Sequence, residues 1–282
     1  MSKGPKILFY DIETTLLLGH YFRLGKQVLR HSQTLPGYFS RTHIICIAYR
    51  WLHEDKSKIL TWGNSLKDEK TMIQKFDKLV EKADVVIGKN SNRFDNKHIN
   101  SQRLWHDLAG APQWTKYTDD LEQQMRKHFY LPSYSLDYLS EQLGLGGKRS
   151  MSFQDWVDIS FYRMHMLAKG DNALLKLLTG KNVTSIVQDG KAAQAKMYDY
   201  NVKDTDDTVD LWNKCVTHFE PKFNRATFGQ DLICKSCGSS RLKKNGVRIA
   251  GQSRYQEFFC NEHGGYAGRA SISATGKLGK IS

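Results

Sequence analysis

A chain of 282 residues, 40% of them hydrophobic, has room for one large packed domain and a small one, and 42 Lys and Arg against 29 Asp and Glu leave it at +13. Such an excess of positive charge points to a polyanionic partner, either nucleic acid or a membrane surface. No apolar run approaches the ~20 residues that span a bilayer, and Met1-Ser2-Lys3-Gly4-Pro5 leads into a strand with no apolar signal region; nucleic acid is therefore the expected partner, with no membrane, and a cytoplasmic, non-secreted location is expected.

In chain order, the apolar segment Ile7–Ile12 predicts a strand that runs into Asp11-Ile12-Glu13. Strand side chains alternate between faces, so Asp11 and Glu13 point the same way. Two like charges so close repel unless a cation lies between them, and hard oxygen ligands suit Mg2+ or Mn2+. A solvated acidic turn is the plainer alternative. An irregular stretch rich in Gly, Arg and aromatics follows to about Thr42; its His20, Tyr21 and Phe22 read as packing residues before they read as lining of a substrate path.

Strands are expected at Ile44–Trp51 and Ile59–Trp62, joined through the polar turn His53-Glu54-Asp55-Lys56, so that the first three strands form a meander. Helical spacing of Met72, Phe76, Leu79 and Val80 predicts a helix over Glu69–Lys82, followed by a buried strand at Val85–Ile87. Then comes Asn90-Ser91-Asn92-Arg93-Phe94-Asp95, a turn closed by an aromatic and an aspartate, with Arg93 and Lys97 beside Asp95 as candidate phosphate contacts. Phe94 and Tyr10 read as core aromatics. Helices are expected at about Lys97–Ala109, Leu121–His128 and Leu136–Gln142, the last ending at Gly144. Residues 170–191, with three glycines, read as helix then loop. The run Ala192–Val216 is helical in pattern and puts Tyr200 and Asp204 on one face, four residues apart. Asp199, Asp206, Asp207 and Asp210 read as a solvated acidic face of that helix, and Cys46 and Cys215 as core.

Charge is concentrated at the C-terminal end. Residues 222–282 hold eleven Lys and Arg against three acids, which is +8 of the +13, together with three of the five cysteines. A domain boundary is placed near Pro221, giving domains 1–221 and 222–282. Cys234-Lys235-Ser236-Cys237 and Cys260-Asn261-Glu262-His263 are two knuckles separated by 22 residues, a spacing that supplies four ligands to one structural Zn2+. So short a segment buries little core, and a metal would stabilise it directly. Around it lie Arg241, Lys243, Lys244, Arg248 and Arg254, candidate contacts to nucleic acid.

Three of these features in order, Asp11-x-Glu13, Asn90-x3-Phe94-Asp95 and Tyr200-x3-Asp204, resemble the exonuclease motifs of the DEDD 3′→5′ exonucleases. The chain resembles the proofreading exonuclease domains of family B DNA polymerases and their stand-alone phage-type relatives, over roughly residues 5 to 215. Position 199 is Asp where a related subfamily has histidine, so the tyrosine (DEDDy) version is indicated. The resemblance implies an α/β, ribonuclease-H-like mixed sheet flanked by helices. It also implies two Mg2+ or Mn2+ ions per site, Asp11 bridging both, Glu13 and Asp204 completing one and Asp95 holding the other, with Tyr200 orienting the attacking water. The tail resembles the zinc ribbons at the ends of insertion-sequence transposases, which close on a second Cys-x2-Cys where this chain has His263.

The expected function is two-metal hydrolysis of DNA from single-stranded 3′ ends to nucleoside 5′-monophosphates, the ribbon aiding binding. An exoribonuclease, or a nucleic-acid-binding protein on a degenerate nuclease fold, are the alternatives. The motifs argue against a transposase core. A polymerase or another replication or repair partner is left open.

Overall fold

The computed structural model describes residues 5–17, 40–63, 65–108, 118–146, 150–167, 172–219, 223–228 and 232–282. Five strands form the first sheet: β1 (Ile7–Thr14), β2 (Ile44–Trp51), β3 (Lys58–Thr61), β4 (Val85–Gly88) and β5 (Thr118–Asp120), in the order β3-β2-β1-β4-β5. The pairs β1–β2 and β2–β3 are antiparallel, whereas β1–β4 and β4–β5 are parallel, so the sheet is mixed and its first three strands form the expected meander.

Seven helices flank it among the described residues: α1 (Leu66–Lys82), α2 (Asp95–Trp105), α3 (Leu121–His128), α4 (Leu136–Leu143), α5 (Phe153–Leu167), α6 (Ala173–Thr179) and α7 (Val183–Cys215). The alternation of β1 sorts them. Leu8, Tyr10 and Ile12 pack with Met72, Phe76 and Val80 of α1 and Ile99 of α2. Ile7 and Phe9 face the other way, onto Leu121, Leu139, Val209 and Trp212 of α3, α4 and α7. The same alternation carried two residues beyond the apolar run turns Asp11 and Glu13 toward α7. Along α7, Ala193, Met197, Asn201, Thr205, Val209 and Trp212 recur every three or four residues and are all buried, the stripe of a helix seated on a sheet.

Behind β2, Glu69 of α1 is fully buried and accepts hydrogen bonds from His43 Nδ1 (2.9 Å), His106 Nε2 (3.1 Å) and the Ile44 N–H (3.0 Å). Burial alone would raise this carboxyl, but the donors outweigh it and hold Glu69 at about 2.

Several expected boundaries move. The first strand runs to Thr14, and the helix expected from Lys97 starts at Asp95 and ends at Trp105; Ala109 lies outside the described residues, as do His20, Tyr21, Phe22, Pro221 and Lys222. The loop expected before residue 192 is helix instead, since α7 begins at Val183. Within it, Gly190 is a contact residue: a Cβ there would meet Tyr162 Cβ at 2.1 Å, so the glycine lets α5 approach α7.

A second, all-antiparallel sheet contains β6 (Leu242–Ala250), β7 (Ser253–Cys260), β8 (Gly265–Ile272) and β9 (Leu278–Ile281) in sequential order. Its core is small: Ile233, Cys234, Phe258, Cys260, Ala267, Ala270 and Ile281, with Ala226 from a 3-10 turn at Arg225–Phe228. Just before that turn, Phe223 belongs to the other core, stacked on Trp212 at 6.4 Å. The candidate basic contacts sit on or beside the β6–β7 hairpin, and Lys243, Lys244, Arg248 and Arg254 are exposed on its strands.

Candidate active site

The carboxylates of Asp11 and Glu13 on β1 and of Asp204 on α7 converge, with oxygens within 4.8 Å of one another. Asp95 joins them differently. It is 2% exposed, at the first turn of α2, and its Oδ1 accepts the Ile12 N–H at 3.0 Å, which pins the start of α2 against the strand carrying Asp11 and Glu13.

Each of the four acids is held above its ordinary range. Burial is the largest cause throughout. For Asp11 the charges of Asp95, Glu13 and Asp204 add to it. Glu13 is raised to about 8 by burial, then by Asp204 and Asp95. Asp95 reaches about 7, because burial outweighs the amide hydrogen bonds it accepts and Asp120 adds repulsion. Asp204 reaches about 6, burial and the nearby Asp207 and Asp137 outweighing a hydrogen bond from Tyr200. Four mutually repelling carboxyls on β1, α2 and α7, Asp95 buried and the other three half-buried, are a donor set for hard divalent cations, which would relieve the repulsion.

Tyr200 stands one turn before Asp204 and gives it that hydrogen bond. Burial, and then the charge of Asp204, push its phenol well above the ordinary tyrosine range, so it is a hydrogen-bond donor and not a base. Its ring meets Trp156 of α5 edge-on at 6.1 Å, and the Trp156 indole donates to Glu13. Asn201, fully buried, donates from Nδ2 to Asp11 Oδ2 at 2.7 Å and accepts the Ala48 N–H at 2.8 Å. Neither Trp156 nor Asn201 is singled out by the sequence motifs. Asn201 carries a signal all the same, as the one amide in the otherwise apolar or hydroxyl stripe of α7. Beside Asp204, a cavity of about 530 Å³ opens between α4 and α7, lined by Ser135, Asp137, Tyr138, Lys203 and Asp207 among others.

Other expected residues fall less simply. Arg93 and Lys97 are exposed. Tyr10 is core, but Phe94 is 38% exposed at the N-cap of α2, its ring 4.5 Å from that of His98. The solvated acidic face holds for Asp199. Asp206, in contrast, accepts from Arg50 (3.0 Å) and from the N–H and hydroxyl of Ser57, and the buried Asp207 is paired with Lys203 and Ser140. Those carboxylates tie α7 to its neighbours, which sequence spacing alone does not reveal.

At the other end of the chain, Cys234, Cys237, Cys260 and His263 also bring their ligand atoms within 4.8 Å of one another. Cys237 Sγ and Cys260 Sγ are 3.6 Å apart, and Cys234 Sγ and His263 Nδ1 3.9 Å. A tetrahedral ion with bonds of about 2.3 Å would set its sulfur ligands about 3.8 Å apart. The Cys234 thiol is pushed down to about 5 by a hydrogen bond from Cys237 and by the N–H groups of Cys237 and Ser236 that curl around it. These are free thiols, as are Cys46 and Cys215, which are buried as expected.

The mixed α/β sheet flanked by helices carries an acidic triad able to hold divalent metal, and the C-terminal segment carries a Cys3His cluster able to hold zinc. No helix among the described residues is long and apolar enough to cross a membrane. No family model matches the chain, and no curated protein does. Among solved structures it is similar to the family B DNA polymerase of the hyperthermophilic archaeon Pyrobaculum calidifontis, at 13% identity and a TM-score of 0.46, over 89% of this chain and 32% of that one. The chain thus spans about a third of that polymerase's length.

Proposed function

We propose that this protein is a two-metal 3′→5′ exonuclease of DEDDy type, a ribonuclease-H-like domain at residues 1–221 followed by a basic zinc-ribbon domain at 222–282. The observation that carries the reading is the meeting of Asp11, Glu13 and Asp204 within 4.8 Å, with the Tyr200 hydroxyl on Asp204. Asp11, Glu13, Asp95 and Asp204 would hold the ions, and Mg2+ or Mn2+ bound there supplies an acidified water and neutralises phosphate charge. The protein's own groups do the rest. Asn201 fixes the Asp11 carboxylate, and the Ile12 amide fixes Asp95. Tyr200, protonated at neutral pH and with its one hydrogen on Asp204, orients the attacking water by accepting a hydrogen bond from it. Zinc on Cys234, Cys237, Cys260 and His263 would order the β6–β9 sheet, whose Arg241, Lys243, Lys244, Arg248 and Arg254 would hold the DNA backbone.

Digestion of 5′- and 3′-labelled single- and double-stranded DNA and RNA, with Mg2+, Mn2+ or EDTA, tests this. The expected result is metal-dependent release of nucleoside 5′-monophosphates from DNA 3′ ends, fastest on single strands. Cutting of closed circular single strands, or shortening from the 5′ end, would overturn the exonuclease assignment. Binding without any hydrolysis would leave a nucleic-acid-binding protein on a degenerate nuclease fold.

A further inference from the structure

One face of the second sheet sets aromatic rings among cations. On β7, Gln256, Phe258 and Cys260 are buried, so Tyr255, Glu257 and Phe259 lie on the opposite face. Ladder partners share a face. Lys243 of β6, Phe259 of β7 and Tyr266 of β8 are direct partners and form one row across three strands. Arg248 and Tyr255 form a second row, and Arg269 is paired with Glu257 between the two. Phe259 and Tyr266 are 36% and 45% exposed, and the Arg248 side chain 64%. Cations sit against the rings: Lys235 Nζ lies 5.3 Å from the Tyr266 centroid, and the Arg269 guanidinium 4.5 Å from that of Tyr255. Four cations and one acid thus frame three aromatic rings, and Tyr255 lies about 13 Å along the strand from Phe259, at ~3.3 Å per residue.

We propose that this face is a stacking platform for the bases of single-stranded nucleic acid, with Phe259, Tyr266 and Tyr255 as base-contacting residues and Lys235, Lys243, Arg248 and Arg269 following the backbone. Single exposed aromatics are ordinary on protein surfaces; rings in a row with cations across neighbouring strands are what an unpaired strand engages, base on ring and phosphate on cation. A paired duplex hides its base faces and can use only the cations. An acidic protein could also meet the charge, but it would have no use for the flat rings. The inference rests on the reading of the ribbon as a nucleic-acid-binding domain and adds what it selects, unpaired bases.

The test is equilibrium binding by the full chain, without added Mg2+ or Mn2+, to single-stranded DNA, duplex DNA and an abasic strand of equal length. Phe259→Ala/Tyr266→Ala should weaken single-strand binding on the order of 10-fold or more, with duplex binding and the salt slope unchanged. Lys243→Ala/Arg248→Ala should weaken both, and flatten the single-strand salt slope by about 1.4 units at ~0.7 per lost phosphate contact. With the unaltered protein, the abasic strand should bind more weakly than the strand with bases, a readout that needs no variant to fold. Equal binding of abasic and base-bearing strands, or single-strand affinity untouched by the aromatic exchange, overturns the platform while the ribbon's backbone binding stands. No nucleic-acid binding by the unaltered protein overturns both.

Discussion

Asn201 and Asp11 are joined by a 2.7 Å hydrogen bond, and the oxygen of the same amide takes the Ala48 N–H, so one buried side chain of α7 sets both the orientation of Asp11 and the seat of the helix on β2. Asn201→Ala should lose roughly 1–3 kcal/mol of stability, because it removes the hydrogen bonds to the Asp11 carboxylate and to the Ala48 N–H. Asn201→Asp keeps an acceptor for Ala48 but sets a carboxylate against Asp11. It should stay better folded than the alanine variant while needing more Mg2+ for half-maximal hydrolysis. An unchanged Mg2+ requirement in Asn201→Asp would make Asn201 a packing residue only.

Asp11→Asn and Asp204→Asn should each remove nearly all hydrolysis, as should EDTA. Neutralising one member of a repelling set relieves the metal-free protein, so thermal melts without divalent ions should place both variants at or above the unaltered chain. Full activity in either would sink the assignment of the site to these carboxylates.

What was legible in advance follows from local rules. The alternation of β1 put Asp11 and Glu13 on one face, and the spacing of α7 put Tyr200 and Asp204 on another; the sheet then brings those faces together. What escaped depended on long-range packing. The stretch before residue 192 reads as loop, and Gly190 finds its use only where α5 packs against it. Trp156 matters only because α5 crosses near Glu13 and Tyr200. Asp206 reads as solvent-facing because its partners, Arg50 and Ser57, lie some 150 positions away in sequence. Hydrophobic periodicity announces an element, but not which polar residues it will meet.

Tyr200→Phe removes the hydroxyl from Asp204 and retains the ring against Trp156. Turnover should fall on the order of 10- to 1000-fold, as for a positioned catalytic group, with single-strand affinity and folding little changed. The pH–rate profile should keep its shape, because the phenol stays protonated across the working range. A variant as fast as the unaltered enzyme would return Tyr200 to a packing role.

Glu69 gives a pH test remote from the chemistry. Its carboxyl falls from the ordinary 4.5 to about 2 on folding, so the folded state binds the proton less tightly than the unfolded one. Stability from this group is full above about 4.5 and is lost as pH falls toward 2. At ~1.36 kcal/mol per pKa unit the shift amounts to roughly 3 kcal/mol. In urea titrations, Glu69→Gln should be less stable than the unaltered chain above pH 5, with the gap narrowing toward pH 3. A gap that is constant with pH would mean that the cost lies in packing and not in the charge held by His43 and His106.

Metal analysis should find one zinc per chain, lost in Cys234→Ser/Cys237→Ser. Zinc there would complete the small core of the second sheet, because two of its buried side chains, Cys234 and Cys260, belong to the cluster. The double serine variant should therefore unfold the β6–β9 sheet and leave the first domain intact. A truncation that asks the same question should stop after Phe228 and not at the sequence boundary near 221, because Phe223 stacks on Trp212 in the first core. That cut removes nine Lys and Arg and three acids, +6 of the +13. DNA binding should weaken and its salt dependence flatten, each lost phosphate contact lowering the slope by about one unit. Short single-stranded substrates should still be hydrolysed, since Asp11, Glu13, Asp95 and Asp204 all lie upstream, but with more dissociation between cuts. Unchanged affinity and salt slope in the shortened chain would remove the ribbon from DNA binding and leave it a surface for a protein partner.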